Sequence, residues 1–283
     1  MLASDLRVQY ARPVKGFFGS MITKRWANYN EPLVRKVVEE LNVQPDSKVL
    51  ELGYGRGYGI DAVLEKLGEK GMIFGLEASE EMERIVKKKY LIEIEEDKNV
   101  ILDKLPFLID LPYPSDFFDS VFHVDVFYFW GQRSFPAILK EIRRVLKPNG
   151  LLLCGLEVKR LEDLEKWGVI ERSRWDPMNY LEHLEPQGFK DVELKYHKIT
   201  PDREVQIIYA RKPSAEEEDV SFEEKMAALE EEIKYHLAVE SLKESQTRDP
   251  ELLKTVAEKQ KAQSEENIEE KRSDKKKKPA ENS

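Results

Sequence analysis

The residues best suited to chemistry are alternating glycines that follow a short apolar run. Within VLELGYGRGYG, residues 49–59, every second position from 53 onward is glycine: Gly53, Gly55, Gly57 and Gly59. A glycine in ordered structure costs about 0.5–1 kcal/mol relative to alanine. Four together indicate a tight turn whose backbone a ligand can approach closely.

The spacing of the glycines bears on which ligand the turn holds. A strand, a glycine-rich turn and a helix form the nucleoside- or phosphate-binding corner of a doubly wound sheet. The dinucleotide pattern G-x-G-x-x-G/A fits poorly, because counting from Gly53 or Gly55 puts Tyr58 or Ile60 in the third glycine position, and a later match begins too far past the strand. The pattern that fits is E-x-G-x-G-x-G, beginning at Glu51.

The elements that must position this turn alternate along the chain. Apolar periodicity predicts helices over residues 33–41, 60–67, 79–90 and 136–146. Strands are predicted at residues 48–52, 72–77, 99–102, within 117–129, and at 151–158, 191–200 and 204–211. Regular alternation favours a parallel sheet flanked by helices, and the last two strands favour an antiparallel hairpin at one edge.

Several motifs in this order resemble the class I methyltransferase superfamily, with a type 11-like methyltransferase domain. They are the glycine motif, Glu77 at the end of GLE, the segment LPYPSDFFDSVF, the helix–turn–strand segment EIRRVLKPNGLLL, the aromatic run FYFW and the N-terminal GSMITKRWANYNEPL. The resemblance covers residues 16–212. It implies a Rossmann-like doubly wound seven-stranded sheet with strand order 3-2-1-4-5-7-6, mostly parallel with an antiparallel edge hairpin, and helices on both faces.

The resemblance also implies S-adenosyl-L-methionine as cofactor and assigns roles by position. The turn would wrap its methionine part, Glu51 would face its amino group, and Glu77 would accept hydrogen bonds from its ribose hydroxyls. The predicted cofactor-binding residues are Glu51, Gly53, Gly55, Gly57, Glu77, Ala78, Leu108 and Asp125. The alternative roles are a solvated strand residue for Glu51 and a helix-start acid for Glu77.

One position departs from the family pattern. The acid that commonly holds the adenine amino group is replaced by Phe107, with Leu108 next to it. Asp103 is out of register, and Asp110 is closer to the LP motif than the pattern expects. Adenine is then held by backbone groups and apolar contacts, or the loop is rearranged.

The methyl acceptor is expected just beyond the fourth strand. Its candidate contacts are His123, Asp125, Tyr128 and Trp130. Asp125 is the better candidate for contact with cofactor or acceptor, whereas His123 also fits a strand residue packed against a helix. Trp26, Asn28 and Tyr29, before the first predicted helix, form a lid or simply cover the sheet edge.

Composition changes near Pro213. Residues 213–283 carry a net charge of −7, against −2 for residues 1–212, and all 14 glycines precede the change. This predicts a methyltransferase domain over residues 1–212, a charged amphipathic helix within 213–244 and a disordered charged tail over 245–283. Residues 221–237 carry an apolar stripe for the domain or a protein partner (Phe222, Met226, Leu229 and Ile233), and KRSDKKKKP is a solvated charge run or a nuclear-import signal.

Composition also excludes several classes of protein. One cysteine rules out an intramolecular disulfide framework. No segment has the length of a membrane span or of a signal-peptide core, so a soluble cytoplasmic protein is expected. The four histidines lack metal-ligand spacing, and no basic aromatic stripe indicates nucleic acid.

The sequence therefore predicts a methyltransferase that uses S-adenosylmethionine, acts on a small molecule and holds no metal. The first alternative is a weak or inactive descendant that kept the fold as a binding or scaffold module. The second, a nicotinamide-dependent oxidoreductase, is disfavoured by the glycine spacing and the edge hairpin.

Overall fold

The computed structural model describes residues 17–105 and 108–218, together with 229–231, 233–234 and 236–237. The chain divides into two units, residues 1–218 and 219–283. All elements given below lie in the first unit. The divisions predicted at residues 212 and 244 stay predictions, and the side chains of Phe222 and Met226 fall outside the described residues.

Helices and strands alternate over most of the first unit. The helices are α1 (Phe17–Glu40), α2 (Tyr58–Leu64), α3 (Glu80–Lys89), α4 (Leu91–Glu95), α5 (Phe135–Val145), α6 (Val158–Lys166), α7 (Arg172–Trp175), α8 (Pro177–Leu184) and α9 (Ala215–Glu218). The strands are β1 (Lys48–Leu52), β2 (Met72–Glu77), β3 (Val100–Lys104), β4 (Phe118–Val124), β5 (Leu146–Leu156), β6 (Lys190–Thr200) and β7 (Arg203–Arg211).

The seven strands form one sheet in the order β3-β2-β1-β4-β5-β7-β6. The five strands from β3 to β5 pair in parallel, and β7 pairs antiparallel with both β5 and β6. This confirms the predicted strand order and the antiparallel edge hairpin. The strand order reverses between β1 and β4, and open α/β sheets bind ligands at such a point.

Side chains alternate across the sheet and build a core on each face. Val49 of β1 packs with Val37 of α1 and Ile60 of α2 on one face. Leu50 packs with Leu139 of α5 on the other face, where α6 and α8 also contribute. A sheet covered on both faces explains why the parallel strands are apolar at nearly every position.

The largest differences from the predicted elements involve helices. The segment before residue 33 is helical, because α1 begins at Phe17 and continues through Pro32. Trp26, Asn28 and Tyr29 therefore lie on the first helix and not before it. The helices α6, α7 and α8, between β5 and β6, were not predicted.

Candidate functional site

A cavity of about 480 Å³ opens at the carboxyl ends of β1, β2 and β4. Ligand cavities in proteins span about 300–1,000 Å³, so this one can hold a nucleoside-sized molecule. Of the predicted site residues, seven line it: Gly53, Gly55, Glu77, Ala78, Leu108, Asp125 and Trp130. The segments that supply them follow different strands, which fits the rule that such sheets bind at their carboxyl edge.

The glycine turn needs glycine for two different reasons. Gly53, Gly55 and Gly57 all have positive φ, at 77°, 50° and 82°. A Cβ on Gly53 would lie 2.6 Å from Val126 Cγ2, and one on Gly57 would lie 2.8 Å from the ring of Tyr90. A Cβ on Gly55 would meet no described atom within 4 Å, and Gly55 lines the cavity. The absence of a side chain at Gly55 therefore leaves space for a ligand, whereas at Gly53 and Gly57 it leaves space for the side chains of Val126 and Tyr90.

Glu77 fastens the glycine turn to the end of β2. Its Oε2 accepts a hydrogen bond from the N–H of Gly55 at 3.0 Å. Its Oε1 accepts from the N–H groups of Ala78 and Ser79, both at 2.9 Å. Bonds from backbone N–H groups to a carboxylate are charge-assisted, so Glu77 holds the turn in place while it lines the cavity. Glu77 also lies just before α3, as its alternative role requires, but the residue whose side chain caps that helix is Ser79.

Glu51 is buried below the turn. Its carboxylate fills the space that a Cβ at residue 59 would need. Burial, with the nearby charges of Glu77 and Asp61, raises the pKa of Glu51 to about 8. Oε2 is buried and has no hydrogen-bond partner among the described residues. Glu51 is thus held neutral near pH 7 unless a cation approaches.

Asp125, directly after β4, forms the polar centre of the cavity. It has a φ of 59°, in the left-handed region, which Asp tolerates better than most non-glycine residues. Its Oδ2 accepts hydrogen bonds from Asn30 of α1 and, at 2.8 Å, from Arg160 of α6. Its Oδ1 is buried and has no partner in the described part of the chain. That oxygen can accept a hydrogen bond from a ligand.

The helix α1 covers the cavity and is attached to the glycine turn. The Arg56 guanidinium donates to the Ser20 carbonyl at 2.8 Å and to the Thr23 hydroxyl at 3.2 Å. The Tyr58 hydroxyl donates to Asn28 at 2.5 Å. Residues placed between the glycines therefore tie the helix over the cavity, and Trp26 of the helix lines it.

Two predicted acceptor contacts lie outside the cavity lining. His123 is fully buried, and its Nε2 lies 2.9 Å from the Tyr180 hydroxyl. Desolvation lowers the pKa of His123 to about 3, so the ring is neutral. Tyr128 is 1% exposed and packs against Phe127. Neither residue reaches the cavity, so the prediction that they contact an acceptor there needs correction. Side chains alternate along β4, and this directs His123 toward the sheet face that α8 covers.

The side of the cavity formed by α3 and the segment after β3 is apolar where it is described. Leu105, Leu108 and Ile109 line it together with Met82 of α3. Phe107 lies outside the described residues, so its predicted consequence for adenine binding stays open to experiment. Asp103 accepts a hydrogen bond from Tyr113 at 2.8 Å and does not line the cavity.

Asn30 and Arg160 are site residues that sequence reasoning missed. Asn30 lies in GSMITKRWANYNEPL, a segment already singled out, but its helical phase toward Asp125 was not apparent. Arg160 has no signal in the sequence, because it belongs to a helix that was not predicted. Across the described residues, no group of three His, Cys, Asp or Glu side chains is arranged to hold a metal ion.

Comparison with known proteins identifies a known domain in part of the chain. Residues 50–154 match the family model described as "Methyltransferase domain". The chain carries a methyltransferase domain at these residues. The glycine turn, Glu77 and Asp125 all fall within the matched residues.

Individual relatives of the methyltransferase domain are distant. An uncharacterized methyltransferase of Bacillus subtilis, YdaC, is 23% identical over 186 residues, which are 65% of this chain and 94% of that protein. A demethylmenaquinone methyltransferase of Staphylococcus epidermidis is 31% identical over 127 residues, 42% of this chain and 47% of that protein. The match therefore spans about half of the quinone enzyme's length.

A solved structure shows the same fold. A SAM-dependent methyltransferase from Aquifex aeolicus superposes with a TM-score of 0.52 and 21% identity, covering 68% of this chain and 97% of that one. At that identity the likeness concerns the fold of the methyltransferase domain. None of the described helices is long and apolar enough to cross a membrane.

Proposed function

We propose that the protein transfers a methyl group from S-adenosylmethionine to a small-molecule acceptor. The observation that carries this is the glycine turn, which opens at Gly55 into the cavity beside Glu77 and Asp125. The methyltransferase domain supports the reaction type. That the acceptor is a small molecule, and that these residues contact the cofactor, are likewise proposed.

The described residues fit this cofactor. The space above Gly55 admits a ligand against the backbone. Buried oxygens of Glu51 and Asp125 lack partners within the described chain, and an ammonium or hydroxyl group would satisfy them. Leu105, Leu108 and a methionine of α3 offer an apolar surface for a base.

When bound, S-adenosylmethionine supplies a methyl group on a positively charged sulfur, which leaves as a neutral thioether. The protein's own contribution is orientation, which can supply several kcal/mol. Asp125, held by Asn30 and Arg160, keeps one oxygen directed at a hydrogen-bond donor. The α1 helix, tied down by Arg56, screens the cavity from water.

The test is calorimetric titration with S-adenosylmethionine, with its demethylated product and, separately, with NADH. We expect micromolar binding of the first two and none of NADH. Tight NADH binding without a response to S-adenosylmethionine would refute the cofactor assignment. Cofactor binding without methyl transfer to any acceptor would favour the scaffold alternative.

A further inference from the structure

Tyr90, which links α3 to α4, contacts the glycine turn from outside the cavity. It is 2% exposed and does not line the cavity. Its hydroxyl donates a hydrogen bond to the Gly57 carbonyl at 2.5 Å and lies 2.6 Å from Oδ1 of Asp61 in α2. Its ring lies where a Cβ on Gly57 would have to be placed. Tyr90 therefore meets the turn with both its ring and its hydroxyl.

Gly57, the residue that Tyr90 contacts, closes a β-turn at the cavity. The Gly57 N–H donates to the Tyr54 carbonyl at 2.8 Å, which is the hydrogen bond between the fourth and first residues of such a turn. The two central residues of the turn, Gly55 and Arg56, both line the cavity. A shift of Gly57 therefore moves the stretch of backbone that a ligand would contact.

The turn is held at two points, one near each end of α3. Before the helix, Glu77 accepts a hydrogen bond from the Gly55 N–H at 3.0 Å. Directly after the helix, Tyr90 donates to the carbonyl of Gly57. Met82 and Val86 of α3 are buried, so the helix is fixed in the domain and keeps both contacts in place.

The Tyr90 hydroxyl stays protonated and therefore stays a donor. Burial, together with the hydrogen bond to Asp61, raises the pKa of Tyr90. Lys89 Nζ donates to the hydroxyl oxygen at 2.8 Å and is paired with Asp61. The single hydroxyl proton is then shared between the Gly57 carbonyl and the Asp61 carboxylate. Phenylalanine at residue 90 would keep the ring and remove this donor from both acceptors.

Tyr113 offers a matched comparison away from the turn. It is 9% exposed, and its hydroxyl donates to Asp103 at 2.8 Å. Neither Tyr113 nor Asp103 lines the cavity, and the Tyr113 ring packs against Phe74 and Phe118. Loss of either tyrosine hydroxyl removes a hydrogen bond to an aspartate, but only the loss at Tyr90 also releases a residue of the turn.

We propose that Tyr90 is a positioning residue for the cofactor. Its hydroxyl fixes Gly57 and so holds Gly55 and Arg56 in the arrangement that S-adenosylmethionine requires. This role rests on the proposed function, since it concerns the same cavity. It gives a residue outside the cavity control over the affinity for the cofactor.

The experiment compares Tyr90→Phe with Tyr113→Phe in the full chain. Calorimetry with S-adenosylhomocysteine, the demethylated product, is carried out well below the melting temperature and so measures the affinity of the folded protein. We expect Tyr90→Phe to bind about tenfold more weakly than the parent, as for the loss of one hydrogen bond that aligns the turn. Tyr113→Phe should bind within about twofold of the parent, because it shares no partner with the turn. Both variants should melt at similarly lowered temperatures, since each loses a buried hydroxyl's hydrogen bond.

Amide hydrogen exchange in the ligand-free protein separates a local effect from a general one. The N–H groups of Gly55 and Gly57 should exchange several-fold faster in Tyr90→Phe than in Tyr113→Phe. The N–H of Leu50, in the buried strand β1, should exchange alike in the two variants. A merely structural role for Tyr90 would instead speed exchange at Leu50 as much as at the two glycines.

Parent-like affinity in a folded Tyr90→Phe protein would overturn the proposal, as would an equal loss of affinity in Tyr113→Phe. A Tyr90→Phe protein that does not fold would also overturn it, because the hydroxyl would then hold the whole domain and not the turn. Absence of binding by the parent itself would instead refute the proposed function, and the cofactor role of Tyr90 with it. The two kinds of failure are therefore distinguishable.

Discussion

Glu51 is a buried acid whose charge state depends on what occupies the cavity. Its raised pKa, about 8, means that the folded, ligand-free protein binds a proton that the unfolded chain releases near its ordinary pKa of 4.5. The folded state therefore binds more protons than the unfolded state between about pH 4.5 and 8. This group's contribution makes the free energy of unfolding fall as pH rises through that window.

We predict that Glu51→Gln stabilises the ligand-free protein at pH 8 by on the order of 2–4 kcal/mol, and by little at pH 5. Glutamine keeps the shape but cannot acquire the charge. Urea unfolding of parent and variant at the two pH values measures the difference. Glu69→Gln, an exposed acid, is the control, and an equal effect of Glu51→Gln at both pH values would contradict the buried, neutral state.

Glu77 has a structural role, holding the glycine turn, that its position in the sequence did not indicate. Its carboxylate accepts hydrogen bonds from three backbone N–H groups. We predict that Glu77→Ala lowers the ligand-free free energy of unfolding by about 1–3 kcal/mol and weakens S-adenosylmethionine binding about 30- to 150-fold.

Glu77→Gln should lose less of both, because one amide oxygen still accepts. Thermal melting without ligand and calorimetry with it separate the two effects. If Glu77→Ala melts like the parent, the turn is held by other contacts. If it also binds equally well, the ribose role is wrong.

At the scale of elements, the turn between β1 and α2 has a glycine with positive φ at a point where the backbone borders the cavity. Gly55 and Gly168 form a matched pair, since both have positive φ, 50° and 70°, and neither Cβ would meet an atom within 4 Å. Only Gly55 lines the cofactor cavity. Alanine at either position carries the same kind of backbone cost, about 1–2 kcal/mol.

We therefore predict similar loss of stability in Gly55→Ala and Gly168→Ala, but loss of cofactor affinity only in the former. Gly55→Val should remove binding and remain folded. Calorimetry with S-adenosylhomocysteine and circular dichroism are the measurements. Parent affinity in a folded Gly55→Val protein would show that the space above the turn is not where the cofactor lies.

The sequence predicted the sheet well, because most of the parallel strands are short apolar runs ended by turn residues, and the edge strand β6 alternates polar and apolar residues before a turn. The turn at Gly53 and the acid at Glu77 were found because their positions along a strand fix their place at the sheet edge. Asn30 and Arg160 were missed because a helix can turn any face toward the cavity. Only packing against Asp125 selects the face, and no local pattern records that contact.

At the scale of the molecule, all strands among the described residues belong to the first unit. Its last described helix is joined to the sheet by an exposed ion pair, Arg211 to Glu217 at 2.8 Å. Exposed pairs contribute about 0–1 kcal/mol. Leu229 and Ile233, in the second unit, are 48% and 49% exposed.

Truncation after residue 218 should leave cofactor affinity within twofold, and truncation after Lys212 within a few-fold. The shorter chain additionally loses the Arg211–Glu217 pair, so its melting temperature should fall by no more than a few degrees. Both are checked by thermal melting and calorimetry against the full chain. An insoluble or molten 1–218 protein would show that the tail is needed for folding.

The attachment of α1 has a consequence for the order in which the chain matures on the ribosome. Tyr29 meets Glu157 and Arg203, which follow it by 128 and 174 residues. Synthesis proceeds at about 5–20 residues per second, so the helix waits roughly ten seconds or more for these partners. Leu33 and Val37, in contrast, pack with residues of β1 and α2, which are synthesised much sooner. The helix therefore meets its apolar partners early in translation and completes the polar contacts of Tyr29 only when the last strands have been made.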